Sequence, residues 1–287
     1  MTALRQLRLH WPDHPDVQQT LQDRADSDTA PMNRDRVMNL LINHWPKRSD
    51  GPARLMELAA DDDDEIIRGV ALESLVQTWP TADGILTLLL DRAVNDPSVL
   101  IRAVATNDLA RRWPKSPEVM AILRNLATRN TDNIVRISAL RAIAAVARET
   151  PNTFELLVRT ATESKSTSVR ELVLNLLTKR YGSRGGTIRV LLNRAMEDPV
   201  PTIRGTALSC YAMLAFDAAE STIRARATVD PSPEVRGRAL TMLAWQWPNS
   251  PETTAALRSA LADDPETAVR EAAQAGLGAV AHLTAGS

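Results

Sequence analysis

The sequence predicts an all-α solenoid, a row of stacked helical hairpins, on three observations. An arginine recurs at Arg34, Arg68, Arg102, Arg136, Arg170, Arg204, Arg236 and Arg270, in steps of 34 residues with one step of 32. Six residues before each stands a helix-capping type: Asp28, Asp62, Asp96, Asn130, Ser164, Asp198, Asp230 and Asp264. Trp-Pro recurs at 11–12, 45–46, 79–80, 113–114 and 247–248. A fixed period in this range marks repeats that each form one supersecondary unit and bury their apolar faces by stacking.

The elements follow in order. Counting back from Trp11, the first arginine would fall before residue 1, so residues 1–12 read as the remnant of a second helix. A half-repeat exposes an apolar face unless something covers it, so this segment is expected either to act as a cap or to continue a longer protein. Eight hairpins come next, at 13–46, 47–80, 81–114, 115–148, 149–182, 183–216, 217–248 and 249–287, making one array over 1–287. The unit 115–148 shows their design. Ser116 caps, Pro117 takes the first helical position and Glu118 suits the positive helix end. Val119, Ile122, Leu123 and Leu126 then form an apolar stripe. The chain turns around 130–133, and a second helix carries Val135, Arg136, Ala139, Leu140, Ile143 and Ala144. Asp-Pro at 96–97, 198–199, 230–231 and 264–265 is expected to cap and start second helices. Trp-Pro is expected to end them, because proline disfavours helical geometry in the residue before it. The Trp of each pair is expected to close the bottom of the inter-repeat core.

Repeats five to seven look irregular. Trp-Pro is missing near 147–148 and 215–216, and Tyr181-Gly182-Ser183-Arg184-Gly185-Gly186 puts three glycines in five residues. The array is expected to bend or flex near residue 183.

Bulk composition bounds the function. The chain has 287 residues, 3% aromatics and net charge −1, with six Trp among ten aromatic residues. Such a near-neutral balance gives no global pull toward nucleic acid or anionic lipid. The single Cys210 permits no internal disulfide and fits a reducing compartment. Apolar runs are as short as Leu88-Leu89-Leu90, and the first residues carry charge where a leader needs an apolar segment. A cytoplasmic protein without membrane contact is expected.

Units such as Asp96-Pro97-Ser98-Val99-Leu100-Ile101-Arg102, with Asp (or Asn, Ser) and Arg six apart, resemble HEAT repeats of the short bacterial kind over nearly the whole chain. The resemblance implies a right-handed α-α superhelix of about eight hairpins plus the N-terminal half-repeat. It also implies a hydrogen-bonded ladder between neighbouring repeats, with Asp62, Asp96, Asp198, Asp230 and Asp264 as acceptors for Arg68, Arg102, Arg136, Arg170, Arg204, Arg236 and Arg270. Asn130 and Ser164 cannot supply a charge, so the ladder should weaken there. A similar Trp-Pro-bearing type is familiar from C-terminal arrays of bacterial NACHT-type ATPases, although this chain lacks any nucleotide-binding part.

Alignment on the arginine separates core from surface. Offsets −1, +3, +4 and +7 are apolar, as in Ile67, Ala71, Leu72 and Leu75 or Val235, Ala239, Leu240 and Leu243. Offsets +5 and +9 lie one turn apart. They hold Asn39, Glu73, Asn107, Arg141, Asn175, Ser209 and Thr241 at +5, and Asn43, Gln77, Arg111, Ala145, Lys179, Met213 and Trp245 at +9. Because second helices line the concave surface of HEAT-like arrays, these rows are expected to form a binding ridge. It is amide-rich first, basic in the middle (Arg111, Arg141, Lys179) and apolar at the end (Met213, Trp245). Trp245 is the sole Trp outside the Trp-Pro series; the plainer alternative packs it against Trp247 or the adjacent repeat. Helices roughly 10 Å apart imply a groove suited to an extended peptide, a helix or a protein edge.

No catalytic residue, cofactor or metal is expected. The run Asp61-Asp62-Asp63-Asp64-Glu65 lacks the spacing and glycine of a calcium loop and suits helix capping. Pro12 separates His10 from His14, and His44 and His282 stand alone. Cys210 has no nearby base, and the glycine-rich segment at 181–186 lacks a phosphate loop's strand and lysine. The leading expectation is therefore a non-catalytic scaffold for a protein or peptide partner. Nucleic-acid binding on the basic middle is the alternative. Enzymes similar to DNA-alkylation-repair glycosylases or phycobilin lyase subunits come after it, with no residue-level match.

Overall fold

The computed structural model describes residues 6, 14–27, 37, 51–147 and 151–285. Among these are fifteen helices and no strand. They are α1 (Pro15–Ser27), α2 (Gly51–Asp61), α3 (Glu65–Thr78), α4 (Ile85–Asn95), α5 (Val99–Arg112), α6 (Pro117–Arg129), α7 (Asn133–Val146) and α8 (Pro151–Glu163). Then come α9 (Thr167–Tyr181), α10 (Gly185–Glu197), α11 (Pro201–Leu214), α12 (Phe216–Val229), α13 (Pro233–Gln246), α14 (Pro251–Asp263) and α15 (Thr267–Ala285). Most of residues 1–12, together with Asp28, Arg34, Trp45, Asn39 and Asn43, lie outside the described residues. The chain divides into two compact units, Met1–Val146 and Ala147–Ser287.

Within each unit the helices pair as hairpins and stack in two layers. First helices α2, α4 and α6 pack neighbour on neighbour, and second helices α3, α5 and α7 do the same. In the other unit the second helices α9, α11, α13 and α15 form the continuous layer. The core lies between the layers and repeats with the sequence. First helices bury Leu89, Leu123, Leu157, Leu191, Ile223 and Leu257 completely. Second helices bury Ile67, Ala71, Leu72, Leu75, Val235, Ala239, Leu240 and Leu243. Each such large side chain stabilises the fold by about 1.5–3 kcal/mol through removal from water.

Polar clamps register each repeat on the next. Arg68 donates Nε to Oδ2 of Asp96 at 3.0 Å and Nη2 to Oδ1 at 2.9 Å, while its Nη1 donates to the Asp62 carbonyl of its own turn at 2.8 Å. The same fork joins Arg170 to Asp198, Arg204 to Asp230 and Arg236 to Asp264. One guanidinium therefore closes its own turn and grips the next, which a lysine ammonium cannot do with fixed geometry. The usual donor for Asp62, Arg34, lies outside the described residues.

The aspartates are not the N-caps their spacing suggested. Asp96 Oδ1 accepts from the Ser98 N–H at 2.8 Å, and Asp198, Asp230 and Asp264 accept from Val200, Ser232 and Glu266 in the same way. Each side chain closes an Asx turn and the helix begins three residues later, so the cap position belongs to Ser98, Val200 or Ser232. Where Asn130 replaces the aspartate, the turn persists through its Oδ1 and the Asp132 N–H at 2.8 Å. The carboxylate has moved two residues on: Arg102 Nη2 donates to Asp132, which is far more exposed than the buried aspartates.

Trp-Pro ends second helices as expected, with Trp79, Trp113 and Trp247 as C-caps. The rings of Trp79 and Trp247 meet the first helix of their own hairpins. Trp79 lies against Gly51 at the start of α2, where a Cβ would sit 3.3 Å from its ring. Trp247 stacks on Phe216 at the start of α12, with ring centroids 4.7 Å apart. The step of 32 arises here: α11 and α12 are joined by Ala215 alone, where the junctions after α3, α5 and α13 spend a Trp-Pro loop.

The junction near 183, where flexing is expected from sequence, is closely packed. Gly182 has ordinary helical geometry, and a Cβ on it would meet Leu214 Cδ2 at 2.7 Å and the Thr178 carbonyl at 2.9 Å. Gly186 lies under the Phe154 ring, Arg184 sits over the Phe154 and Tyr181 rings, and the Thr187 hydroxyl donates to the Tyr181 carbonyl at 2.7 Å. Glycine is needed for close approach. The division into units falls instead at 146–147, the first junction without Trp-Pro.

Stability and exchange measurements test these assignments. Asp230→Ala leaves Arg204 buried without its carboxylate and should cost about 3–5 kcal/mol in urea melts. Asp230→Asn keeps the turn acceptor and should cost less. Burial pushes the Asp230 carboxyl up, but the Arg204 fork and the Ser232 N–H outweigh it; the Arg236 fork likewise holds Asp264 below the usual range. These groups therefore contribute fully above the unfolded carboxylate value of about 3.9 and lose that contribution as pH falls through their lower folded values. Melting midpoints should hold steady down to about pH 5 and drop below about pH 4, less steeply in Asp264→Asn. Gly182→Ala should destabilise by about 1–3 kcal/mol through overpacking, and hydrogen exchange at 178–190 should match the other junctions. Faster exchange there would restore the hinge.

Candidate binding surface

Two rows of the second helices point away from the core because +5 and +9 fall opposite the buried offsets. In the first unit Glu73, Gln77, Asn107, Arg111 and Arg141 are exposed. Their chemistry is partly occupied. Gln77 Nε2 donates to Glu73 Oε1 at 2.9 Å, and Arg111 pairs with Asp108 one turn before it. Arg111 and Arg141 belong to the first unit and Lys179 to the second, so the basic middle expected from sequence is divided between two bodies.

In the second unit Lys179, Met213, Thr241 and Trp245 are exposed. Asn175 and Ser209 are half-buried instead. Asn175 Nδ2 donates to the Glu171 carbonyl at 3.0 Å, and its Oδ1 faces the Cys210 thiol at 4.0 Å. Thr241 turns its hydroxyl back to the Gly237 carbonyl at 3.0 Å, presenting its methyl outward. Met213 on α11 and Trp245 on α13 stand at 69% and 63% exposure on helices that pack side by side. Trp245 is left largely exposed rather than buried against Trp247 or the adjacent repeat, and Trp247 itself stacks on Phe216.

Sequence reasoning missed Arg238, at offset +2. It is exposed, lies across Gly205 and donates Nη2 to Ser209 Oγ at 3.0 Å. The glycine one repeat earlier was the available signal: its lack of a side chain leaves a bed for the arginine stem.

Signals that look chemical resolve into local structure. Asp62 and Asp64 of the acidic run accept from the backbone N–H groups of Asp64 and Ile66. Burial raises the Cys210 thiol above its ordinary range and opposes formation of a thiolate nucleophile. Among the described residues no three His, Cys, Asp or Glu side chains gather as a metal site, and no helix is long and apolar enough to cross a membrane.

No curated protein matches the sequence. Among solved structures, the X-ray structure of the Escherichia coli protein YibA is similar at 21% identity, covering 81% of this chain and 83% of that one with a TM-score of 0.49. A family model described as HEAT repeats matches residues 86–178 and 188–278, well over half of the chain. The two-layer hairpins, the Arg–Asp forks and this match agree, and the chain belongs to the HEAT-repeat family.

Proposed function

We propose that the chain is a non-catalytic scaffold that binds a protein or peptide along the exposed rows of its second helices. The observation that carries this is Met213 beside Trp245. Two large apolar side chains at the same offset on neighbouring helices are the most exposed of their kind among the described residues, while the same offset elsewhere carries Gln77, Arg111, Ala145 and Lys179. Exposed Trp and Met are enriched where proteins bind one another. Lys179 and Arg238 on the same unit add positive charge, favouring a partner segment that is apolar with acidic flanks. Nucleic acid is the weaker reading, because Arg111 is directed at Asp108 and the overall charge is near zero. Action in the cytoplasm is part of this proposal, supported by the lone, buried Cys210. The Trp-Pro repeat type supports a further reading, as the sensing array of a NACHT-type ATPase.

Capture from source lysate tests the reading with wild type, a Met213→Ala/Trp245→Ala double variant and an Arg111→Glu/Arg141→Glu/Lys179→Glu triple variant. The double variant should lose the wild-type partner protein at least about tenfold. Its stability should change by less than about 1 kcal/mol, because both side chains are exposed. Nucleic acid bound by wild type and lost in the triple variant would replace this reading. Equal recovery by all three baits would remove the ridge as the working surface.

A further inference from the structure

Three ladder aspartates hold a second guanidinium, from the arginine four residues earlier on their own first helix. Arg92, Arg194 and Arg226 place Nη1 at 3.4, 3.6 and 3.8 Å from Oδ2 of Asp96, Asp198 and Asp230. Arg92 shows the mode most fully, its Nη1 also donating to the Ala60 carbonyl of the preceding repeat at 2.7 Å. That carbonyl lies in the last turn of α2, where unpaired carbonyls gather negative potential. Three other repeats put Leu58, Leu126 and Thr160 at the position, and all three are buried.

The last repeat has Ala260 there. Beside it a groove of about 290 Å³ opens, lined among others by Thr228, Arg236, Ser259, Asp263 and Asp264. Thr228 stands two residues before Asp230 as Ala60 stands two before Asp62, so its carbonyl is the counterpart of the one Arg92 uses. It lies in the last turn of α12, and Ala260 lies in the last turn of α14. Both helix ends attract a cation. Asp264 already receives the Arg236 fork at 2.7 and 2.8 Å. Asp96 carries its own fork from Arg68 together with Arg92, so a carboxylate so engaged still accepts a second guanidinium. Asp263 adds an exposed carboxylate on the rim.

The geometry points to this groove as a receptor for an arginine side chain of a partner protein or peptide. The guest guanidinium occupies the place that Arg92, Arg194 and Arg226 fill from within the chain. Its planar fork spans carboxylate and helix-end carbonyl together, and the internal precedents are all arginine, never lysine. The groove shares no residue with the exposed rows, so it stands or falls apart from the ridge reading.

The test is amide NMR of the full chain titrated with N-acetyl-arginine amide, with N-acetyl-lysine amide as comparison. Ala260→Arg supplies the chain's own guanidinium, and Ala260→Leu fills the space as Leu126 does. Wild type should show saturable shifts at Thr228, Val229 and Asp264, weakened at least about tenfold in both variants. Ala260→Arg should also melt above wild type. The assignment is overturned by an absence of saturable shifts, by equal binding of the lysine compound, or by shifts that survive in the leucine variant. Should Ala260→Arg fail to fold, the leucine variant still decides.

Discussion

Each repeat of this chain is too thin to bury its own core, so the structure depends on how firmly one hairpin is registered on the next. The forked arginine supplies that register. Its Nη1 grips the carbonyl of its own inter-helix turn, and its Nε and Nη2 grip the aspartate of the following turn. The aspartate closes its turn at the same time, by accepting from a backbone N–H two residues on. Every buried polar atom of the pair is thus hydrogen-bonded, to backbone or to the opposite charge, which is why such charges can be buried at all. A leucine at the same place would fill volume without fixing the angle or the step of the stack.

The period made most of this legible. The recurring arginine, the apolar offsets and the Trp-Pro stops locate helices and core because each follows from side-chain chemistry that acts locally. What the sequence hid was the job each polar residue does. Asp96 and its counterparts satisfy the composition rule for caps, yet their geometry is that of Asx turns, a difference set by backbone angles rather than residue type. Asp132 escaped notice because the carboxylate moved by two residues while Asn130 kept the turn. Gly182 and Gly186 read as freedom because glycine also marks loops; here their missing Cβ atoms admit Leu214 and Phe154. Exposure of Trp245 was undecidable from spacing, since spacing does not say what a neighbouring repeat covers.

The division of labour along each second helix follows from the same register. Offsets that face the first-helix layer are fixed by packing and vary little. Offsets +5 and +9 face away, and their residues change from amide to cation to apolar without disturbing the core. A solenoid can therefore alter its surface chemistry step by step while its interior stays constant, and function is carried by what differs between repeats. Met213, Trp245 and Ala260 are departures of this kind: the first two put apolar bulk in water, and the third removes bulk where others have it.

The boundary between the two compact units obeys the same argument. Coupling between repeats is a nearest-neighbour quantity, the sum of core contact, ladder and junction. Between Asn130 and Ser164 the ladder sequence has no aspartate at its usual positions, and at 147–148 the Trp-Pro stop is also missing. The described helices before and after that stretch keep their buried apolar cores. The chain divides at 146–147, where these devices lapse in sequence, and not at the glycine-rich segment near 183, where forks, rings and close backbone packing are all present.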